Sequence, residues 1–537
     1  MIGLNKIWLN QVQLNRLYLN APFPVYRKMT GGGSSGDGFP VLPGDVTRWH
    51  FGGLTNEMMA AMDDPRLEDA DGKGRFLSFK NFAWGGMSGV GGYETNAEIY
   101  EFSPTSTNKI VADRVKHISY TFEVKGMVSG NDLSLRDGIN TIYYSWKKDG
   151  IYTVDVDVLD PAGTLRLYNG YSHQKGTFTV RIFPSYPGAL VFDGVDDCGV
   201  CDNFPILTKE KGYTVVALRS YLAESIGYLV YNGTSAKQSA FAFERSDSLD
   251  TWSWGINSSI RNSLPKLMSY QTSNSYNNNI ISTGTAIEGD KLIRIASSGG
   301  YCNVAIWELV FLDHDATEEE LTKIKDYFVK TYPWLFPDQA WTVVGKTNED
   351  EDRATIANIT GNGNDLVLYN LGFAEGSGYN EEGEYAGYLV TDGVDDRVVS
   401  RSFTLNKDWT IVGNWKMLQP EANKSSGIVK QNSLFIYNHV DGLNISINDA
   451  WNFFKLKDIR SVNAICSDGR IYLNDWTEII DSKQQTVNES VGTLVIGILG
   501  NVYTSLAFKN LGIYNNQILS KDDCIKAYNY LQTLKAK

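Results

Sequence analysis

Histidine and cysteine are scarce in this chain, five of each in 537 residues. An odd number of cysteines in a chain this long does not make a disulfide framework. The single Cys-x-x-Cys, Cys198-Gly199-Val200-Cys201, has neither a second pair nor nearby histidines to complete a zinc site, so its expected role is structural. Long apolar runs are also missing. No stretch reaches the roughly 18 apolar residues of a membrane-spanning helix, so membrane insertion is not expected. The start, Met1-Ile2-Gly3-Leu4-Asn5-Lys6-Ile7-Trp8-Leu9-Asn10, interrupts its apolar positions with Asn and Lys and lacks the continuous core of a secretory signal peptide. Basic residues are outnumbered, 49 Lys and Arg against 62 Asp and Glu, for a net charge of -13. Without clustered cations the chain has no general phosphate-binding surface, which argues against nucleic acid as a partner.

What is present is a duplication. Ala189-Leu190-Val191-Phe192-Asp193-Gly194-Val195-Asp196-Asp197 returns as Tyr388-Leu389-Val390-Thr391-Asp392-Gly393-Val394-Asp395-Asp396. Each copy is an apolar strand running into an Asp-Gly turn and a pair of carboxylates. Upstream, Trp49, Gly53, Thr55, Asn56 and Glu57 match Trp341, Gly345, Thr347, Asn348 and Glu349. Asn81 matches Asn370, and Ser88-Gly89 matches Ser377-Gly378. A period of about 200 residues is far longer than a solenoid repeat, so each copy is expected to be a domain with its own core. Near the end of each copy a helix is expected. Thr317 with Glu320 forms a capping box before the stripe Leu321, Ile324, Phe328 and Val329, and Pro333 stops it. Ser520 with Asp523 is a weaker start before Ile525, Tyr528 and Leu531.

The two copies differ in one long insertion. Between Tyr93 and Pro184 the first carries about 90 residues where the second has about ten. The strand patterns at 117–124, 141–146, 151–158 and 177–182, separated by turns such as Lys148-Asp149-Gly150, predict a small inserted β-sandwich. At the other extreme, Leu4 to Asn10 is echoed by Leu14 to Asn20. Ile7, Leu9, Leu17 and Leu19 alternate with Lys6, Trp8, Arg16 and Tyr18 as in two short strands. Residues 1–30 hold four cations and no acid. So short a piece cannot bury its own apolar face, and it is expected to dock on another, acidic subunit. An ordinary hairpin packed on the first domain is the alternative. Residues 31–48, rich in Gly, Ser and Pro, read as a linker.

At the duplicated segments the chain resembles the LamG, or concanavalin A-like lectin/glucanase, superfamily. Thr360-Gly361-Asn362-Gly363-Asn364, Val390 to Asp396, Asp468-Gly469-Arg470-Ile471-Tyr472-Leu473-Asn474, Leu494-Val495-Ile496-Gly497 and Ile513-Tyr514-Asn515 stand in that family's order. The first copy lacks the hairpin and the Leu-x-Ile-Gly strand. The resemblance implies two jelly-roll sandwiches, at 49–93 with 184–337 and at 341–537; with the short terminal helices, the inserted sandwich at 94–183 and an N-terminal β anchor read from the residues, the chain is expected to be all-β. The resemblance also implies a Ca2+ ion on Asp193, Asp196 and Asp197 and on Asp392, Asp395 and Asp396. Against this, Asp-Gly makes a turn by itself, and the following Asp accepts backbone N–H groups. Neither copy shows a second ligand cluster, which favours the turn.

Some proteins of this resemblance are glycosidases, with a strand reading Glu-x-Asp-x-x-Glu that sets acids at alternate positions. No such strand occurs here, and no catalytic residue is expected. Aromatic faces for sugar stacking are offered by Trp252, Trp254, Trp451 and Trp476. Paired modules behind a basic tip and a Gly/Ser linker also resemble appendage proteins of tailed bacteriophages that infect gut Bacteroidales. The expectation is a non-enzymatic head or tail fibre protein, assembled in the host cytoplasm without a signal peptide. It would be held to capsid or tail by residues 1–30, homotrimeric, and directed at host surface polysaccharide. A depolymerase on the same fold and a plain capsid spacer are the alternatives.

Overall fold

The computed structural model describes residues 38–536 apart from internal stretches, the longest being 234–240, 281–289, 419–425, 455–461 and 481–488. The anchor strands and the attachment residues Lys6, Ile7, Trp8, Leu9, Arg16, Leu17, Tyr18 and Leu19 lie outside the described residues. The rest falls into two compact units. One combines the described part of Met1–Gly92 with Tyr186–Thr331, the other Tyr93–Ser185 with Tyr332–Lys537.

In the first unit the strand Asn303–Leu312 is buried along nearly its whole length. It pairs antiparallel with Val46–His50, Leu190–Asp193 and Thr214–Tyr221. A continuous apolar strand of this kind needs cover on both faces. One face meets a second eight-stranded sheet, and Phe192, Val215, Ile306 and Phe311 interlock with Leu77, Phe79, Phe243 and Ile295 in one core. The other lies under the helix Glu318–Thr331, where Tyr327 donates to Glu308 at 2.9 Å and accepts from Arg48 at 3.1 Å. The capping box forms as expected: the Thr317 N–H donates to Glu320 at 2.8 Å, and the Glu320 N–H donates back to Thr317.

The second copy repeats this topology. Ser505–Asn515 takes the central place between Gln339–Thr342, Tyr388–Asp392 and Trp409–Met417. Its facing sheet runs through eight strands in the same sequence of connections as the first unit's. Even the irregularity is shared: the register slips between Leu218 and Arg219 in one copy and between Asn414 and Trp415 in the other. The chain is therefore all-β sandwich, with Lys521–Gln532 the equivalent terminal helix and Ser520 its cap.

Two expected boundaries are corrected. The linker does not extend to residue 48, because Phe39 packs edge-on to Tyr327 at 5.0 Å and Val46–His50 is a sheet strand. Its Gly and Pro content gave no sign of that aromatic anchor. The first sandwich ends at Thr331 rather than 337. Beyond it, the Trp334 carbonyl accepts from Tyr514 at 2.8 Å and Lys526 lies 4.2 Å over the Trp334 ring, both in the second unit.

The insertion forms two four-stranded sheets. One is ordered Gly150–Asp157, His117–Lys125, Phe178–Ile182, Ile99–Phe102, and the other Asn108–Ala112, Leu165–Asn169, Leu133–Asp137, Ile142–Trp146. They enclose their own core of Phe122, Leu135, Val154, Leu167 and Val180. This sandwich joins the second copy through a buried cluster. The Asp155 carboxylate accepts from Lys509 at 2.9 Å on both oxygens, from Tyr388 at 2.8 Å and from His117 at 3.0 Å. Burial alone would raise the Asp155 pKa, but Lys509 and His117 hold it well below the usual carboxylate range. The residues of the second copy that meet Asp155 are Tyr388, Asn414 and Lys509. By strand register their counterparts in the first copy are Ala189, Leu218 and Trp307, which offer a carboxylate no cation, and the Trp307 indole N–H is given to the Pro187 carbonyl at 2.8 Å. The sequence thus writes this docking face into one copy.

Replacing Asp155 with Asn leaves the Lys509 ammonium buried without its counter-charge, and should cost about 3 kcal/mol or more of stability in denaturant unfolding. Asp155→Asn with Lys509→Met should recover most of the loss; equal destabilisation in single and double variants would refute the coupling. Desolvation lowers the His117 pKa, but Asp155 and Asp157 raise it by more, for a net rise above 6.5. Its contribution is therefore complete below pH 6.5 and is lost as pH climbs through the raised value.

Candidate functional site

The two acidic turns are the most specific repeated feature of the sequence, and the structure gives Asp193 and Asp197, and in the second copy Asp392 and Asp396, hydrogen-bond partners. At the end of Leu190–Asp193, Gly194 turns the chain at φ +77°, where an added Cβ would meet Asn303 at 2.8 Å. The Asp193 carboxylate then accepts from the backbone N–H of Val195 at 2.8 Å and of Asp196 at 3.3 Å. Asp197 folds back to accept from the Asp193 N–H at 3.0 Å and from the Ser88 hydroxyl at 3.0 Å. The second copy repeats this. Asp392 accepts from Val394 at 2.7 Å, Asp396 accepts from the Asp392 N–H at 2.8 Å, and Ser377 stands beside Asp396.

The other repeated residues join the same construction. The Asn81 amide donates to the Asp196 carbonyl at 2.9 Å, as the Asn370 amide does to the Asp395 carbonyl at 3.1 Å. Asn56 clamps Val90 by both N–H and carbonyl, and Asn348 clamps Tyr379 the same way. The glycines beside these clamps, Gly89 and Gly378, leave no room for a Cβ, which would fall 2.4 and 2.5 Å from the two asparagine oxygens. Sequence reading noticed Ser88, Asn81 and Asn56 only as matches; the fixed spacing of their repetition was the signal of a shared task.

Each acidic trio brings three carboxylates within 4.8 Å of one another. Hydrogen bonds within each turn compete with a cation for these oxygens. The inner oxygens of Asp193 and Asp197 are aimed at N–H and O–H donors, and a cation would displace the hydrogens that shape the turn. Burial first, then the charges of Asp193 and Asp196, push the Asp197 carboxyl up to about 7, and burial raises Asp396 in the same sense. A bound divalent ion would need these groups ionised.

Of the aromatic candidates, Trp252 and Trp254 lie on the strand Asp250–Gly255, opposite Arg245 and Ala242 of the neighbouring strand. Trp451 lies on Ala450–Phe454, the last strand of the equivalent sheet. Their side chains are outside the described residues. Trp476 is corrected: it is 1% exposed, edge-on to Tyr528 at 5.6 Å and 3.4 Å from the Thr153 hydroxyl. Buried against Tyr528 and Thr153 in this way, the ring cannot stack on a sugar. Cys198 and Cys201 sit three apart on one strand, on opposite faces, so they cannot share a metal or a disulfide.

No family model matches the chain, and no curated protein matches it. Among solved structures it is similar to Trypanosoma rangeli sialidase in complex with sialic acid, at 8% identity over 86% of this chain and 92% of that one, with a TM-score of 0.28. It is also similar to the binding domain of botulinum neurotoxin DC in complex with SialylT, at 10% identity over 71% and 99%, with a TM-score of 0.23. Likeness at this level carries no argument about what the chain binds or does.

Because the folded Asp197 keeps its proton to about pH 7 while the unfolded chain loses it near 4, its contribution to stability falls as pH rises between those values. Hydrogen-exchange protection of Leu190–Asp193 should therefore weaken from pH 5 to 7.5, and Asp197→Asn should flatten that slope. An unchanged slope would place the proton elsewhere. Millimolar Ca2+ should leave the thermal midpoint where it is, and a rise would restore the metal.

Proposed function

We propose that the protein is a non-enzymatic appendage of a tailed-bacteriophage particle, attached through residues 1–30 and presenting its two duplicated sandwiches to polysaccharide on the host surface. It is assembled in the host cytoplasm as a homotrimer and released with the particle. The observation that carries this reading is the use to which the duplicated acids are put. In both copies they satisfy backbone N–H groups of a turn, so what the duplication preserved is a display scaffold. The acid-free tip before the sandwiches supplies a place to attach. Each single sugar site is weak, and several copies on one particle raise the effective concentration for the rest.

The purified full chain should bind host capsular polysaccharide in a glycan array and release no reducing ends from it. Release of sugar would make it a depolymerase; absence of binding would make it a spacer. Antibody to residues 341–537 should decorate particles in electron micrographs, and bare particles would end the virion reading.

A further inference from the structure

We infer that the inserted sandwich carries a saccharide site of its own, a cleft for a sugar bearing a carboxylate; this rests on the glycan-binding reading above. The sheet Gly150–Asp157, His117–Lys125, Phe178–Ile182, Ile99–Phe102 uses one part of its outer face, with His117, Thr153 and Asp155, to dock on the second copy. Farther across the same sheet, Glu101, Thr179 and Lys125 stand directly opposite one another on adjacent strands. Residues in register share a face, so these three form a polar row about 10 Å wide.

The row opens into a cleft of about 450 Å³ also lined by Ser103, Lys109 and Thr177, within the size range of small-ligand sites. Behind the row, on the inner face of the sheet, the Phe102 and Phe178 rings stack in the core at 4.8 Å and 5°. Among the described residues, three hydroxyls, two ammonium groups and one carboxylate line an opening of about one or two sugar rings. Its local sign is positive in a chain of net charge -13. Lys109 forms no ion pair among the described residues. Lys125 reaches Glu123 only at 3.7 Å with its side chain 74% exposed, a contact worth little. Both cations are thus available to an incoming carboxylate.

Glu101 decides against phosphate-rich ligands. A carboxylate in the cleft repels a multiply charged polyphosphate, and among the described residues no arginine fork lines it. The same carboxylate accepts hydrogen bonds from sugar hydroxyls. Hydroxyl acceptors beside paired ammonium groups match an acidic saccharide.

The test is isothermal titration of the full chain with an oligoglucuronate and with a neutral oligoglucose of equal length. The acidic oligomer should bind about tenfold tighter, and Lys109→Ala with Lys125→Ala should remove that preference. Lys109→Arg with Lys125→Arg should keep it, which separates loss of charge from loss of fold. If both oligomers bind alike and the alanine variant binds as the parent does, the glycan reading stands and this cleft is overturned. If neither oligomer nor host polysaccharide binds, both readings fall.

Discussion

A strand that ends in a tight reversal leaves backbone N–H groups facing away from its sheet partners, and a side-chain acceptor that takes them fixes the course of the turn. In this protein that role is filled by carboxylates. Asp193 and Asp392 hold the turn, while Asp197 and Asp396 reach back to the start of it. Ser88 braces the second acid in the first copy, and Asn56 and Asn348 fix the neighbouring strand. Each sandwich is closed at this corner. The raised pKa of Asp197 follows from putting an acid where water cannot reach it and other acids stand near.

Around that shared frame the two copies diverge in how they fill equivalent positions. Arg219 and Glu244 form a two-bond fork at 2.7 Å with neither side chain exposed, and the register places Trp415 where Arg219 stands. One backbone thus accepts an ion pair or an aromatic ring, as expected when a buried pair is about break-even against an apolar replacement. The outer face diverges too. Tyr388, Asn414 and Lys509 replace Ala189, Leu218 and Trp307, and only the second copy can receive Asp155. Duplication supplied a backbone, and substitutions gave the copies different neighbours.

Much of this was legible before any coordinates. The Asp-Gly motif, the alternating strands of the insertion and the Thr317 capping box depend on contacts within a few residues, which local sequence reports. The insertion strands Ile99–Phe102, Asn108–Ala112, Leu133–Asp137 and Leu165–Asn169 went unread because they are short and mix polar with apolar residues. Trp476 was misread for a different reason: a hairpin looks the same whether its flank is wet or covered. Phe39 was missed because one aromatic does not change the composition of a linker.

By itself the sequence determined that one sandwich occurs twice, where it reverses direction and which acids do the turning, because repetition and turn chemistry are written residue by residue. The tertiary structure decided which copy the insertion joins, that Trp476 is core, and that Lys109 and Lys125 face one cleft. Those outcomes depend on which surfaces meet across long stretches of chain, and burial, unlike a turn, is a property of both partners at once.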